Sequence, residues 1–284
     1  MLKKIFFAAA LLLASELIAK PVVIASIAPV EYLAKAVGGD KIEVQSLAKG
    51  DVHSYEPKPN DMKAVAKARI FIAAGLEFEE AWIPRFKASA KNLVVVKSDA
   101  KIAKLKEERG EQAEHDEKHE AHADPHVWLN PMLAITMARN ISDALIDMDK
   151  ANKDFYLENF QKLMNDLLAF DESAKESLAG LKNRKFVVYH PAWGYFAEHY
   201  DLEQISIERN GKEPKIDEMA STLKMIKDEN IKVIFADPNR SQKSAQVLAS
   251  QTGAKVELLD PLGYNLLENL KIAVGAIKDA NSPK

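Results

Sequence analysis

The feature that most constrains the fold is an alternation of short β-branched runs with helical patterns, interrupted once by residues 131–181, which hold no strand candidate and no glycine before Gly180. Before the interruption, "PVVIASIA", "KIEVQSLA", "RIFIAAG" and "NLVVVKS" read as strands. Between them, "PVEYLAKAVGG" reads as a helix ending at Gly38 and Gly39, "EPKPNDMKAVAKA" as a turn into a helix, and "EEAWIPRFKASA" as a further helix. After it, the alternation resumes with "KFVVYH", "PAWGYFAEHYD", "EQISIER", "DEMASTLKMIKDEN", "IKVIFAD", "SQKSAQVLASQTG", "AKVELLD" and a last helix near "NLLENLKIAVGAIKDA". Strands alternating with helices in this way form parallel β-α units.

Inside the interruption, "PMLAITMARNISDALIDMD" has helical apolar spacing, and "NKDFYLENFQKLMNDLLAFDESAKESLAG" repeats apolar residues three and four apart. At ~1.5 Å per residue, the second helix is long enough to span a small domain and serve as a rigid connector. Its Lys and Glu residues read as a solvated face. The expected architecture is α/β: two open parallel-sheet lobes, residues 20–150 and 181–284, joined by a long backbone helix over 151–180, with a ligand cleft between them. A single α/β sheet carrying a helical insertion is the other arrangement the pattern allows.

The opening residues, "MLKKIFFAAALLLASELIAK", place two lysines before an apolar run from Ile5 to Ala14, the shape of a secretory signal over residues 1–19. The run is too short to span a bilayer comfortably, and Leu17 at the third position before a cut after Ala19 fits the cleavage rule only loosely. No second long apolar segment follows, so the expectation is a soluble exported protein. The chain contains no cysteine, which excludes disulfides, thiolate metal sites and a lipidated cysteine after the signal. That favours a free periplasmic protein of a Gram-negative cell. Lys and Arg number 39 against 42 Asp and Glu, a balance that argues against a nucleic-acid partner held by a basic surface. Any metal must be held by nitrogen and oxygen.

Open parallel sheets bind ligands beyond the carboxyl ends of their strands. His53 lies a few residues past "KIEVQSLA"; His190 ends "KFVVYH"; Asp237 and Asp260 end "IKVIFAD" and "AKVELLD", each before a proline. His126 sits in "DPHVWLNP", where Asp124 and Pro125 stiffen the approach and "NP" starts a helix. Three imidazoles and one carboxylate suit tetrahedral zinc. The residues alone leave Asp237 and Asp260 as equal candidates. They also leave open a zinc hydrolase with Glu198 or Glu208 as base, although no H-E-x-x-H pattern is present.

The stretch "GEQAEHDEKHEAHADPHVWLNP" crowds His115, His119, His122 and His126 together. Residues 102–123 are acidic, lysine-rich and poor in large apolar groups, so they read as a mobile loop in which His115, His119 and His122 collect metal weakly. A plainly solvated charged loop is the alternative. His199 reads as a helix-surface residue. Trp82, Trp128 and Trp193 read as packing residues, Trp128 or Trp193 as a wall of the site, and Tyr55 and Glu56 either as neighbours that orient His53 or as exposed residues.

Taken together, "GDVHSYEPKPND", "GLEFEEAW", "DPHVWLNP", "YHPAWGYFAEHY", "ERNGKEPK" and "LDPLG" resemble the cluster A-I (cluster 9) metal-binding proteins of bacterial ABC importers, in particular the zinc-uptake type. The resemblance covers nearly the whole chain after the signal, in the family's order. It implies a binding protein, not an enzyme, that captures Zn(II) between two lobes and hands it to a membrane ABC permease, as a monomer. It implies His53, His126 and His190 as ligands with Asp260 in the fourth, acidic position, and it favours Asp260 over Asp237. Manganese-binding relatives tend to carry glutamate where this chain has His190, which makes zinc the expected metal and manganese or iron the alternative. Val52 replaces a common proline, and the cysteine pair of some relatives is absent. Ligands from two lobes on a helical connector imply a small closing motion, and neutral imidazole ligands imply affinity that falls with pH through the histidine range. Some related proteins are described as adhesins, but nothing in this sequence indicates surface display.

Overall fold

The computed structural model describes residues 19–106, 123–208 and 216–281. Nearly all of the signal segment, and His115, His119 and His122, lie outside the described residues. The N-terminal lobe runs β1 (Val22–Ala25), α1 (Ala28–Gly38), β2 (Glu43–Ser46), α2 (Pro59–Val65), β3 (Ile70–Ala73), α3 (Glu77–Ser89) and β4 (Val94–Lys97). Two helices follow, α4 (Pro131–Met148) and α5 (Lys153–Ala179). The C-terminal lobe runs β5 (Lys185–Val188), α6 (Gly194–His199), β6 (Glu203–Ser206), α7 (Ile216–Asp228), β7 (Val233–Ala236), α8 (Lys243–Thr252), β8 (Lys255–Leu258) and α9 (Leu266–Asn281).

Both sheets are parallel and share one strand order, β2-β1-β3-β4 and β6-β5-β7-β8. In each, the chain steps to one side of its first strand and then to the other, which opens a crevice at the carboxyl ends where the order reverses. The inner strands β3 and β7 are buried at every residue, whereas the edge strands β2 and β8 expose alternate or most positions. Helices on both faces bury an inner parallel strand, so it reads as a continuous apolar run.

Local chemistry sets the helix ends. The Asn130 side chain accepts the backbone N–H groups of Met132 (2.9 Å) and Leu133 (3.3 Å), and Pro131 occupies the first turn of α4. Between α4 and α5 the Asp149 carboxylate accepts from Asn152 Nδ2 (2.7 Å) and Tyr156 Oη (3.0 Å), turning the chain back on itself. Gly39 ends α1 at φ +53°, and a Cβ there would fall 2.8 Å from the Phe155 ring on α5. Both the backbone conformation and the close helix approach require glycine.

α5 has 27 residues, roughly 40 Å of helix. It buries Tyr156, Phe160, Leu163, Leu167, Phe170, Ala174 and Leu178, a seam at intervals of three and four. That seam packs against α1 and α4 on the N-terminal side and α9 on the C-terminal side. One apolar core therefore runs from β1, β3 and α1 along α5 to Phe186, Val188, Val233 and Phe235, which face one side of the second sheet. A smaller core with Val187, Ile234, Ile226 and Leu248 fills the other side, beneath α7 and α8. The strand period of two divides β5 and β7 between the two cores.

The paired positions Leu167 and Leu168 test this seam. Leu167 is fully buried and Leu168 is 38 % exposed. In urea unfolding, Leu167→Ala is expected to lose about 2–5 kcal/mol, and Leu168→Ala to stay within about 0.5 kcal/mol of the parent.

Candidate metal centre

Each of the three site histidines sits in a connection at the carboxyl edge of a sheet. His53 comes from the β2–α2 connection, His126 from the β4–α4 connection and His190 from the β5–α6 connection. The first two belong to the N-terminal lobe and the third to the C-terminal lobe, and the cleft between the lobes brings them together. Ring centroids are 5.3 Å apart for His53 and His126, 4.9 Å for His53 and His190, and 5.3 Å for His126 and His190. One ring nitrogen of each lies within 4.8 Å of the other two. An ion with Zn–N bonds of about 2.0–2.1 Å needs tetrahedral ligand nitrogens about 3.3 Å apart, so a small inward movement completes the geometry.

Carboxylates set the ring orientation. Asp124 Oδ1 accepts both the backbone N–H of His126 (2.9 Å) and its Nδ1–H (2.7 Å). Glu208 Oε2 accepts Nδ1–H of His190 at 2.8 Å. A proton held on Nδ1 by a carboxylate leaves Nε2 with a lone pair directed to the site, the form a metal takes. The Nε2 atoms of His53 and His190 are buried and have no hydrogen-bond partner. Burial, the neighbouring His126 and the Arg240 guanidinium push the His53 imidazolium down to about 4. Burial and the same neighbours hold His190 well below the usual histidine range. Both rings are thus neutral near pH 7, ready to donate lone pairs.

The His126 segment is held from the opposite lobe. Tyr195 Oη donates to Asp124 O (2.8 Å) and accepts from Leu105 N (2.8 Å), and Trp128 Nε1 donates to Pro261 O (2.8 Å). The Trp128 ring lies 5.3 Å from that of His126 and so walls the site, while Trp193 is buried with its ring edge-on to Phe196. The described ends of the stretch 102–123 are pinned: Lys106 bridges Ala123, and Asp124 N donates to Leu105 O (2.9 Å).

Asp260 lies outside the compact group formed by the three histidines. Its Oδ1 accepts from Asn239 Nδ2 (2.8 Å) and from Leu262 N (2.9 Å). The same Asn239 amide bonds Asp237 Oδ1 at 3.0 Å, and burial together with the nearby Asp260 raises the Asp237 carboxyl despite the opposing Asn239 hydrogen bonds. One neighbouring residue behaves differently from the sequence reading. Tyr55 turns away from His53 and bonds Leu47 O (3.1 Å) and Asp61 Oδ2 (2.8 Å); the turn at His53 is shaped instead by Asp51, which accepts His53 N at 3.2 Å. His199 stays outside the histidine group, as a residue of the helix surface rather than a ligand, and is partly buried, its Nε2 meeting Asp171 of α5 at 2.6 Å.

Glu208 is committed to His190 and to Arg240, whose Nη1 donates to it at 2.6 Å, and so is not a free base beside a metal-bound water. Sequence reasoning passed over Asp51 and Arg240 altogether. Arg240 stands just beyond the carboxyl end of β7, where the strand-end rule could have found it, but no spacing links it to Asp51 or His190. Outward from the histidines opens a cleft of about 680 Å³ whose walls carry the carboxylates of Asp51, Glu77, Asp124, Glu198 and Glu203 against the cations of Lys106 and Arg240. Such a lining raises the local concentration of cations.

Comparison with known proteins identifies the family. The family model described as zinc-uptake complex component A, periplasmic, matches residues 23–280. The high-affinity zinc uptake system protein ZnuA of Bacillus subtilis is 30 % identical over 279 residues, covering 91 % of this chain and 86 % of the relative. A crystal structure of ZnuA superposes with a TM-score of 0.87 at 35 % identity, covering 93 % of this chain and 100 % of that one. A zinc-bound ZnuA deletion mutant superposes with a TM-score of 0.86 at 34 % identity, covering 93 % and 99 %. With the match spanning both lobes and the connecting helix, this chain belongs to the zinc-uptake complex component A family and is a zinc-binding solute-binding protein, not an enzyme.

Proposed function

We propose that the protein captures one Zn(II) ion between its lobes through His53, His126 and His190, with Asp260 as the fourth ligand, and delivers it to the permease of an ABC importer. In this reading it works as a free periplasmic monomer in a Gram-negative cell, with residues 20–150 and 181–284 as the lobes and 151–180 as their connection. His115, His119 and His122 then gather metal weakly beside the cleft.

The observation that carries the reading is the pair of buried, partnerless Nε2 atoms on His53 and His190, facing His126. A buried polar atom left unsatisfied costs about 1–3 kcal/mol, and here a cation satisfies two at once. A nitrogen-rich set with carboxylates behind two of its rings suits zinc better than manganese. Asp260 supports the fourth position because it ends at the same sheet edge, its Asn239 and Leu262 contacts both falling on Oδ1. Among the described residues no helix is long and apolar enough to cross a membrane.

Titration of metal-free protein with zinc, in competition with a chromophoric chelator, should give one tight site per chain. His126→Ala and His190→Ala should each weaken it by at least about 100-fold, and Glu208→Gln by about 10–100-fold. Asp260→Ala should weaken it while leaving a measurable three-histidine site, and unchanged affinity would assign the fourth position to water. Deleting residues 111–122 should leave the tight site in place. Unaltered tight binding by His190→Ala would overturn the inter-lobe site.

The pH behaviour carries a definite sign. His53 titrates at about 4 when folded and near 6.5 when unfolded, so between these values the unfolded chain binds more protons. Stability of the metal-free protein is then complete above about 6.5 and falls as pH drops toward 4; His190 contributes with the same sign. Thermal melts of metal-free protein between pH 7 and pH 4.5 should show this loss, and His53→Gln should flatten it. Proton competition with zinc in the folded protein should set in below the ordinary histidine range.

A further inference from the structure

Arg240 has contacts on both sides of the cleft. It follows β7 in the turn "DPNR", and its side chain is 16 % exposed. Its Nη1 lies 2.6 Å from Glu208 Oε2 and 2.7 Å from His190 Nδ1, and its Nη2 lies 3.6 Å from Asp51 Oδ1. With the Nδ1 proton directed to Glu208, the guanidinium donors serve the carboxylates, and the close approach of Nη1 to Nδ1 follows from their sharing Glu208 Oε2 as acceptor. Glu208 orients His190 in the C-terminal lobe. Asp51, in the N-terminal lobe, accepts His53 N (3.2 Å) and Ser54 Oγ (3.1 Å) and so shapes the turn that presents His53. The adjacent Asn239 holds Asp260 in place.

We propose that Arg240 is a positioning residue that clasps the two lobes through Asp51 and Glu208 and so assembles His53 and His190 before the metal arrives. The proposal rests on the zinc reading above. Two effects of the guanidinium oppose each other. Its charge repels a nearby dication, which alone would make its removal tighten binding. Its links preorganise ligands from separate lobes, which makes its removal weaken binding. Because Asp51 and Glu208 flank the guanidinium, its repulsion on the ion is largely compensated, and preorganisation dominates.

The same zinc competition with the full-length metal-free protein tests this. Arg240→Gln should weaken zinc binding by about tenfold or more. Arg240→Lys should recover part of the loss, since a single ammonium reaches one carboxylate but does not span both as the planar fork does. Asp51→Asn keeps an acceptor for His53 N while removing the charge. If Arg240 and Asp51 act as one link, the double variant Asp51→Asn/Arg240→Gln should bind zinc no more weakly than Arg240→Gln alone, a coupling that a merely structural arginine would not produce. Circular dichroism of the metal-free variants establishes that they fold; if Arg240→Gln does not, Arg240→Lys and Asp51→Asn, singly and combined, carry the test. Unchanged or tighter binding by Arg240→Gln, or fully additive losses in the double variant, would overturn the clasp. Failure of the parent protein to bind zinc would instead overturn the zinc reading on which the clasp rests.

Discussion

The apolar seam of α5 is the constraint on which the rest of the molecule depends. By packing against α1 and α4 in one direction and α9 in the other, it joins two separately built parallel sheets into a single continuous core. Interiors packed at crystalline density transmit strain and do not deform freely, so the two carboxyl edges face each other at a nearly set distance. A wide hinge opening would have to expose part of that core. Small adjustments of loops at the rim require no such exposure. The gap between ring nitrogens within 4.8 Å and the tighter spacing of a tetrahedral ion is of this smaller kind.

Within that frame, electrostatics decide what the cleft can do. Burial keeps His53 and His190 neutral, and Asp124 and Glu208 hold protons on the ring faces turned away from the site. The carboxylates closest to His126 and His190 are engaged in orientation, which suits holding a cation more than activating water. The cleft outside is lined by more carboxylates than cations and three imidazoles lie inside it, an order that suits diffuse attraction of cations before selection of one that prefers imidazole. The two sheets share one strand order, so the site is assembled from equivalent edges of two similar halves.

Much of the fold was legible because inner strands of parallel sheets are short apolar runs and their helices carry a regular apolar period. All eight strand runs appear as strands, each trimmed at one or both ends, because an apolar residue beyond the ladder looks the same in sequence as one within it. His53 and His190 were legible as candidates from their place beyond strand ends, and His126 from its stiffened turn before a helix. The choice of Asp260 over Asp237 was not, since both end strands before a proline, and Asn239 in fact bonds both. Tyr55, adjacent to His53 in sequence, turns instead to Asp61, whereas Arg240 reaches His190 across fifty positions.

By itself, the sequence determined the parallel α/β character, the long helix between two halves, the absence of thiolate chemistry and the placing of His53, His126 and His190 at loop positions, because these depend on residue type and local period. Only the tertiary structure decided that the three rings converge, which nitrogen of each faces inward, and which carboxylates stand behind them. Those outcomes depend on the relative placement of two sheets. That placement is set by the packing of α5, through contacts between residues far apart in the chain that no local pattern encodes.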